Sequence, residues 1–182
     1  FLFFYKMTFQ IYNDIPTVPT GFANITTFDR PGLVNVPDET PVFLPEFELK
    51  ITPSSSSKKI LLMTHIMGEW DNEYHSKGII FQRTVGGGTP EFIRPPPDPL
   101  SPERGRVLAD FNITLQNANS TMETCSLIYV DEPKTTTTIT YKIFLVNTFN
   151  ANANFRLNAT INSAAPPLIY EVGSSTFTVE EK

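Results

Sequence analysis

Glu46-Phe47-Glu48-Leu49-Lys50-Ile51 alternates charged and apolar residues at every position, and this period of two decides the fold class. A strand with one face in the core and one in water carries such a pattern, whereas a helix needs apolar residues three and four apart. Phe47, Leu49 and Ile51 therefore share a buried face. The alternation returns where Ala109, Phe111, Ile113 and Leu115 are set against Asp110, Asn112, Thr114 and Gln116. It returns again where Phe155, Leu157, Ala159 and Ile161 oppose Asn154, Arg156, Asn158 and Thr160, and where Phe177 and Val179 oppose Thr176, Thr178 and Glu180. Each segment predicts a half-buried antiparallel strand.

Two further runs, Lys59 to Met67 (KILLMTHIM) and Ile139 to Val146 (ITYKIFLV), are apolar on both sides and predict central strands covered on both faces. Cys125 to Val130, Gly78 to Val85 and weaker runs at 9–12, 21–28 and 168–172 bring the expectation to about nine to eleven strands, the range of a sandwich or jelly roll. Sixteen prolines spread through the chain interrupt any long helix. The predicted fold is all-β: an antiparallel β-sandwich, jelly-roll-like, with a Pro-rich extended arm and loop.

The 182 residues suffice for one domain with a real core. Pro16, Pro19, Pro31, Pro37, Pro41 and Pro45 mark residues 1–45 as an extended arm or strand segment, leaving 46–182 as the sandwich. Within it, Gly86-Gly87-Gly88 and Pro95-Pro96-Pro97-Asp98-Pro99 mark 86–106 as an exposed loop, because prolines leave ladder positions without donors. Met7 opens an ordinary-looking sequence, so residues 1–6 read as upstream frame or as part of a longer precursor.

Fourteen Lys and Arg against 19 Asp and Glu give a net charge of -5. With no basic run to displace counterions from phosphates, nucleic acid is not an expected partner. Cys125 stands alone, which excludes an intrachain disulfide and a multi-cysteine zinc site. No stretch approaches the roughly 20 apolar residues of a membrane-spanning helix.

The densest polar and aromatic group is Glu69-Trp70-Asp71-Asn72-Glu73-Tyr74-His75. Glu69, Asp71 and Glu73 offer oxygens to a hard cation, and Trp70 and Tyr74 offer rings to a sugar. The plainer reading is a solvated hairpin loop with Trp70 packed on the sheet edge. His65 reads as a core or interface histidine, and Cys125 has no histidine near it in sequence to form a nucleophilic pair. Gly86-Gly87-Gly88 lacks the Lys-Ser/Thr of a phosphate cradle and reads as a turn. No catalytic set, metal site or cofactor is expected, so the chain reads as a non-enzyme. Sequons at Asn24, Asn112, Asn119 and Asn158 read as solvent-facing polar positions.

A more specific pattern runs through residues 57–182. Ser57-Lys58-Lys59-Ile60-Leu61-Leu62 opens a strand, and Gly78-Ile79-Ile80-Phe81-Gln82-Arg83 follows. Asp131-Glu132-Pro133-Lys134-Thr135-Thr136-Thr137-Thr138-Ile139-Thr140-Tyr141-Lys142-Ile143 makes a turn and strand, and Ser174-Ser175-Thr176-Phe177-Thr178-Val179-Glu180-Glu181 closes the chain. These words resemble the β-sandwich domains of virion structural proteins, minor capsid components and fibre tips, of marine tailed phages and large algal DNA viruses. The resemblance implies a minor capsid, cement or fibre component that binds and stabilises neighbouring capsid proteins within the virion. It also implies a homo-oligomer, a trimer among the possibilities, and no shared catalytic residues. The alternative is a carbohydrate-binding receptor-recognition head of a viral fibre, using the loop around Trp70 and Tyr74.

Overall fold

The apolar run at 60–70 becomes β4 (Ile60–Trp70), and the rest of one sheet assembles on its two edges. The computed structural model describes residues 20–25, 33–71, 77–95, 107–111, 121–148, 151–161, 171 and 173–182. Along one edge of β4 lies β8 (Glu123–Asp131), antiparallel from Ile60 opposite Asp131 to Gly68 opposite Glu123. Because β8 fills that edge, the other edge takes two strands in succession. β11 (Ser175–Glu181) pairs with Ile60 to His65, and β10 (Ala153–Leu157) pairs with Gly68 to Trp70. β1 (Thr20–Ile25) then adds to β11, and β2 (Val34–Val36) to β10.

The second sheet is built on β9 (Ile139–Asn147), flanked by β3 (Val42–Ile51) and β5 (Lys77–Val85). The far edge of β5 carries β6 (Glu91–Ile93) and β7 (Ala109–Asp110). Among the described residues the named strands all pair antiparallel, with one isolated parallel bridge between Asp38 and Asn147, and the two sheets pack face to face as the predicted β-sandwich.

Alternation fixes the core. From β4 come Ile60, Leu62, Ile66 and Trp70; from β9 come Ile139, Tyr141, Ile143 and Leu145; from β11 come Phe177 and Val179, all buried. Phe81 of β5 stacks on Phe177 across the interior with ring centroids 5.7 Å apart. Trp70, Phe111 and Phe155 form an aromatic group at one end, with centroid separations of 4.9–5.7 Å. Each such side chain contributes roughly 1.5–3 kcal/mol by leaving water.

Several expectations change. The runs at 59–67 and 139–146 are central but not covered on both faces. Leu61, Met63, His65 and Met67, and likewise Thr140, Lys142 and Phe144, are half-exposed on the outer faces. Apolar residues there report an outer surface, with no third layer of strands among the described residues. Within the 1–45 segment, read as an extended arm or strand segment, β1 and β2 enter one sheet and β3 begins at Val42. Its prolines fall outside the two short strands, so the ladders stay intact. Within the 86–106 loop, Gly86 and Gly87 make a turn at φ 57° and 74°, as expected of a glycine pair, but Glu91–Ile93 pairs with β5 as a short edge strand. The alternation read through 109–115 gives described strand only at Ala109–Asp110; residues 112–120 lie outside the described residues, as do the weak run at 9–12 and most of 168–172.

Candidate functional site

The predicted loop around Trp70 divides. Trp70 is the last residue of β4 and points between the sheets with 0% exposure. It lies against Phe155 and Phe111, with the Lys77 ammonium 5.5 Å from its ring centroid. The even-numbered face of β4 is the inner one, and position 70 extends it; the ring is therefore closed to a sugar. Glu69 points to the opposite face but is also 0% exposed. Its carboxylate accepts the backbone N–H of Thr121 at 3.1 Å and that of Ile161, holding two segments against the outer face of the sheet. Asp71 accepts both the backbone N–H and the side-chain amide of Asn154, at 2.8 and 2.6 Å, and pins the start of β10 to the end of β4. Glu73 and Tyr74 lie outside the described residues. Among the described residues no group of three His, Cys, Asp or Glu side chains is arranged to hold a metal ion.

These carboxylates belong to a larger polar group at this end of the sandwich, most of which the sequence reading missed. Lys77, Asn147, Asn158, Thr160 and Ser175 are 0–1% exposed, Glu123 3% and Arg156 8%. The Glu123 carboxylate accepts the Trp70 backbone N–H at 3.1 Å. Asn158 was placed on a solvent-facing strand position. It instead follows β10 at φ 58° and accepts the Ser175 hydroxyl at 2.6 Å, so its sequon is enclosed. Asparagine tolerates this left-handed backbone because its short amide bonds locally.

A second polar group crosses the opposite end. Arg83 donates to both oxygens of Asp131, at 2.7 and 2.9 Å, and to Glu91 at 2.7 Å. The Tyr141 hydroxyl donates to Asp131 at 2.6 Å. Burial first, and then the Asp131 carboxylate, push the Tyr141 phenol far above its ordinary range. Burial works against the Arg83 charge, but hydrogen bonds to Glu91 and Asp131 outweigh it and raise its pKa. Its inner members Arg83, Asp131 and Tyr141 are bonded to one another or to Glu91 at the rim, which suits a structural brace.

An open apolar surface lies on the outer face of the β4 sheet. Ile128 is 71% exposed and Val130 50%, and their ladder partners Met63 and Leu61 extend the apolar strip inward. Beside it His65 shares a 2.8 Å hydrogen bond with Ser126, and Thr176 and Thr178 complete a shallow groove. Among the described residues β8 has one ladder partner, β4. The Cys125 thiol donates to the Ala109 carbonyl at 3.4 Å, so β7 approaches the start of β8. Burial pushes that thiol up to about 12, which makes it a poor nucleophile.

Edge strands are ordinarily blunted by charge, proline, bulges or shortness. β3 carries Pro45, Glu46, Glu48, Lys50 and a register shift between Phe43 and Glu48; β2, β6 and β7 are two or three residues long. β8 has none of these devices. Its exposed residues Thr124, Ser126, Ile128 and Val130 are all uncharged.

No family model matches the chain, and no curated protein matches it. Among solved structures it is similar to the structure of infectious bursal disease virus, Gx strain, at 8% identity and a TM-score of 0.30. That likeness covers 90% of this chain and 38% of the other, so the chain spans well under half the length of its neighbour.

Proposed function

We infer that the chain is a non-enzymatic virion structural protein, a minor capsid, cement or fibre component that binds neighbouring capsid subunits through the β8 edge and the outer face beside it. The observation that carries this reading is β8: nine residues long, without a ladder partner on its second edge among the described residues, uncharged on its exposed face and flanked by Ile128 and Val130. A strand from a neighbouring subunit satisfies its open backbone groups and covers the apolar strip in one step.

Strand order supports the same reading. The principal strands run β1-β11-β4-β8 in one sheet and β3-β9-β5 followed by β6 and β7 in the other. First and last strands are neighbours, and these principal strands change sheet at each step except from β5 to β6 and β7. On this reading the order of the principal strands is that of a jelly roll, an arrangement shared by viral capsid and lectin domains. A lectin role would need an open aromatic platform; of the two expected rings, Trp70 is enclosed and Tyr74 lies outside the described residues.

The test is association with capsid subunits of the encoding virus, measured by co-sedimentation with purified particles. The wild-type chain is expected to sediment with them, and a chain with Ile128→Lys and Val130→Lys to remain in the supernatant. Equal sedimentation of both chains contradicts the β8 assignment.

A further inference from the structure

Lys77 opens β5, and its ladder partner on β9 is Asn147. Paired residues of two strands share a face. Here it is the inner face, and both side chains are 0% exposed. Directly opposed residues hold their Cβ atoms about 4.5–5.5 Å apart, within the sweep of a four-carbon lysine stem.

The surroundings are closed to water and partly aromatic. The Lys77 ammonium lies 5.5 Å from the Trp70 ring centroid, and that ring is itself packed on Phe111 and Phe155. Burial brings its pKa down to about 8, although Asp71 and Glu123 pull the other way. A tenth or so of the amine is then unprotonated near neutral pH, by the ordinary relation of pH to pKa.

Asn147 is held as an acceptor of attack. Its Nδ2 donates to the carbonyls of Val36 at 3.3 Å and Ala151 at 2.6 Å, which fixes the amide plane. Its Oδ1 is enclosed and has no donor among the described residues, an arrangement folds ordinarily avoid. From the opposite sheet comes Glu123, 3% exposed and close enough to bias the Lys77 charge.

We propose that Lys77 and Asn147 join in an intramolecular isopeptide bond, with Glu123 carrying the proton. Neutral Nζ attacks Cγ of Asn147, and the Nζ–Cγ bond forms. Glu123 takes a proton from Nζ and passes it to Nδ2, the Cγ–Nδ2 bond breaks, and ammonia leaves. The step is an amide exchange in a water-excluded site and needs no oxidant, reductant or metal. Its product replaces a buried ammonium with a neutral amide. The bond ties the end of β5 to the end of β9, a covalent staple in a chain whose single cysteine cannot form an intrachain disulfide. It does not depend on the virion reading.

Intact-mass spectrometry of the purified full chain tests it. The expected mass is about 17 Da below that of the sequence, one ammonia lost. Trypsin should release the 60–83 segment joined to 143–156, with no cleavage after Lys77. Lys77→Arg and Asn147→Ala chains should keep their full masses. A wild-type chain at full sequence mass after incubation at pH 8 overturns the proposal, and so does a loss of about 17 Da that leaves those two segments separate. The wild-type mass decides by itself, so a variant that fails to fold cannot shelter the idea. A Glu123→Gln chain that links as completely as the wild type removes Glu123 from the reaction.

Discussion

Trp70 shows how a single position turns a binding candidate into a core residue. Its neighbours in sequence, Glu69 and Asp71, are acidic, which suggests a solvated loop, but it ends a strand whose even positions all face inward. Replacing it with Ala should cost about 3–5 kcal/mol, the range for a large buried aromatic, read as a fall in the urea midpoint. A loss under about 0.5 kcal/mol, the scale of a surface substitution, would put the ring back in solvent. Tyr141 offers a finer test, because only its hydroxyl is at issue. Tyr141→Phe keeps the ring in the core and removes the 2.6 Å bond to Asp131. It should cost about 1–2 kcal/mol, as for a buried hydrogen bond to a charged group. Neither residue's environment was legible from the chain: the partners Phe155, Phe111 and Asp131 are 85, 41 and 10 residues away, and only pairing register brings them together.

At the scale of elements the chain was most readable where one face is wet. β11 alternates through Ser175–Glu181 as Phe177 and Val179 predicted, and β3 contains the quoted stretch at 46–51. The reading failed where both faces are buried by different means. Around β10, Arg156, Asn158 and Thr160 sit on the supposed water face but are enclosed; Asn158 accepts the Ser175 hydroxyl, while the Arg156 Nε has no acceptor among the described residues. Polarity alone cannot separate a solvated residue from a buried and bonded one. The link from Pro53 to Ser57, four serines after a proline, is tied down as well. Glu181 of β11 accepts both the Ser54 backbone N–H and its hydroxyl, with Lys58 Nζ at 3.5 Å. Those Ser54 bonds, then Lys58, hold its carboxyl below the usual 4.5. A depressed carboxyl stabilises the fold above its unfolded pKa and loses that contribution as pH falls through the folded value. Glu181→Gln should therefore lower stability at pH 7 and narrow the gap to the wild type below about pH 4, as thermal melts across that range would record. A gap that stays constant down to pH 2 would dissociate the carboxylate from the effect.

For the whole molecule, two polar braces at opposite ends of an aromatic core leave β8 as a long edge that exposes no charge. Ile128→Lys with Val130→Lys changes only exposed positions, so its melting curve should stay within about 0.5 kcal/mol of the wild type. A large destabilisation would mean that β8 is buried by the chain itself and is not a docking edge. The sandwich was legible in the alternation, whereas the edge was not. CSLIYV reads equally well as an interior or a border strand, and only the sheet order places it at the border. The central claim is that this border is a contact inside a virus particle. Quantitative mass spectrometry of gradient-purified particles of the encoding virus tests it most directly. The account predicts the chain in a fixed ratio to the major capsid protein through successive gradients; a chain that is absent, or that washes away in proportion to purification, contradicts it.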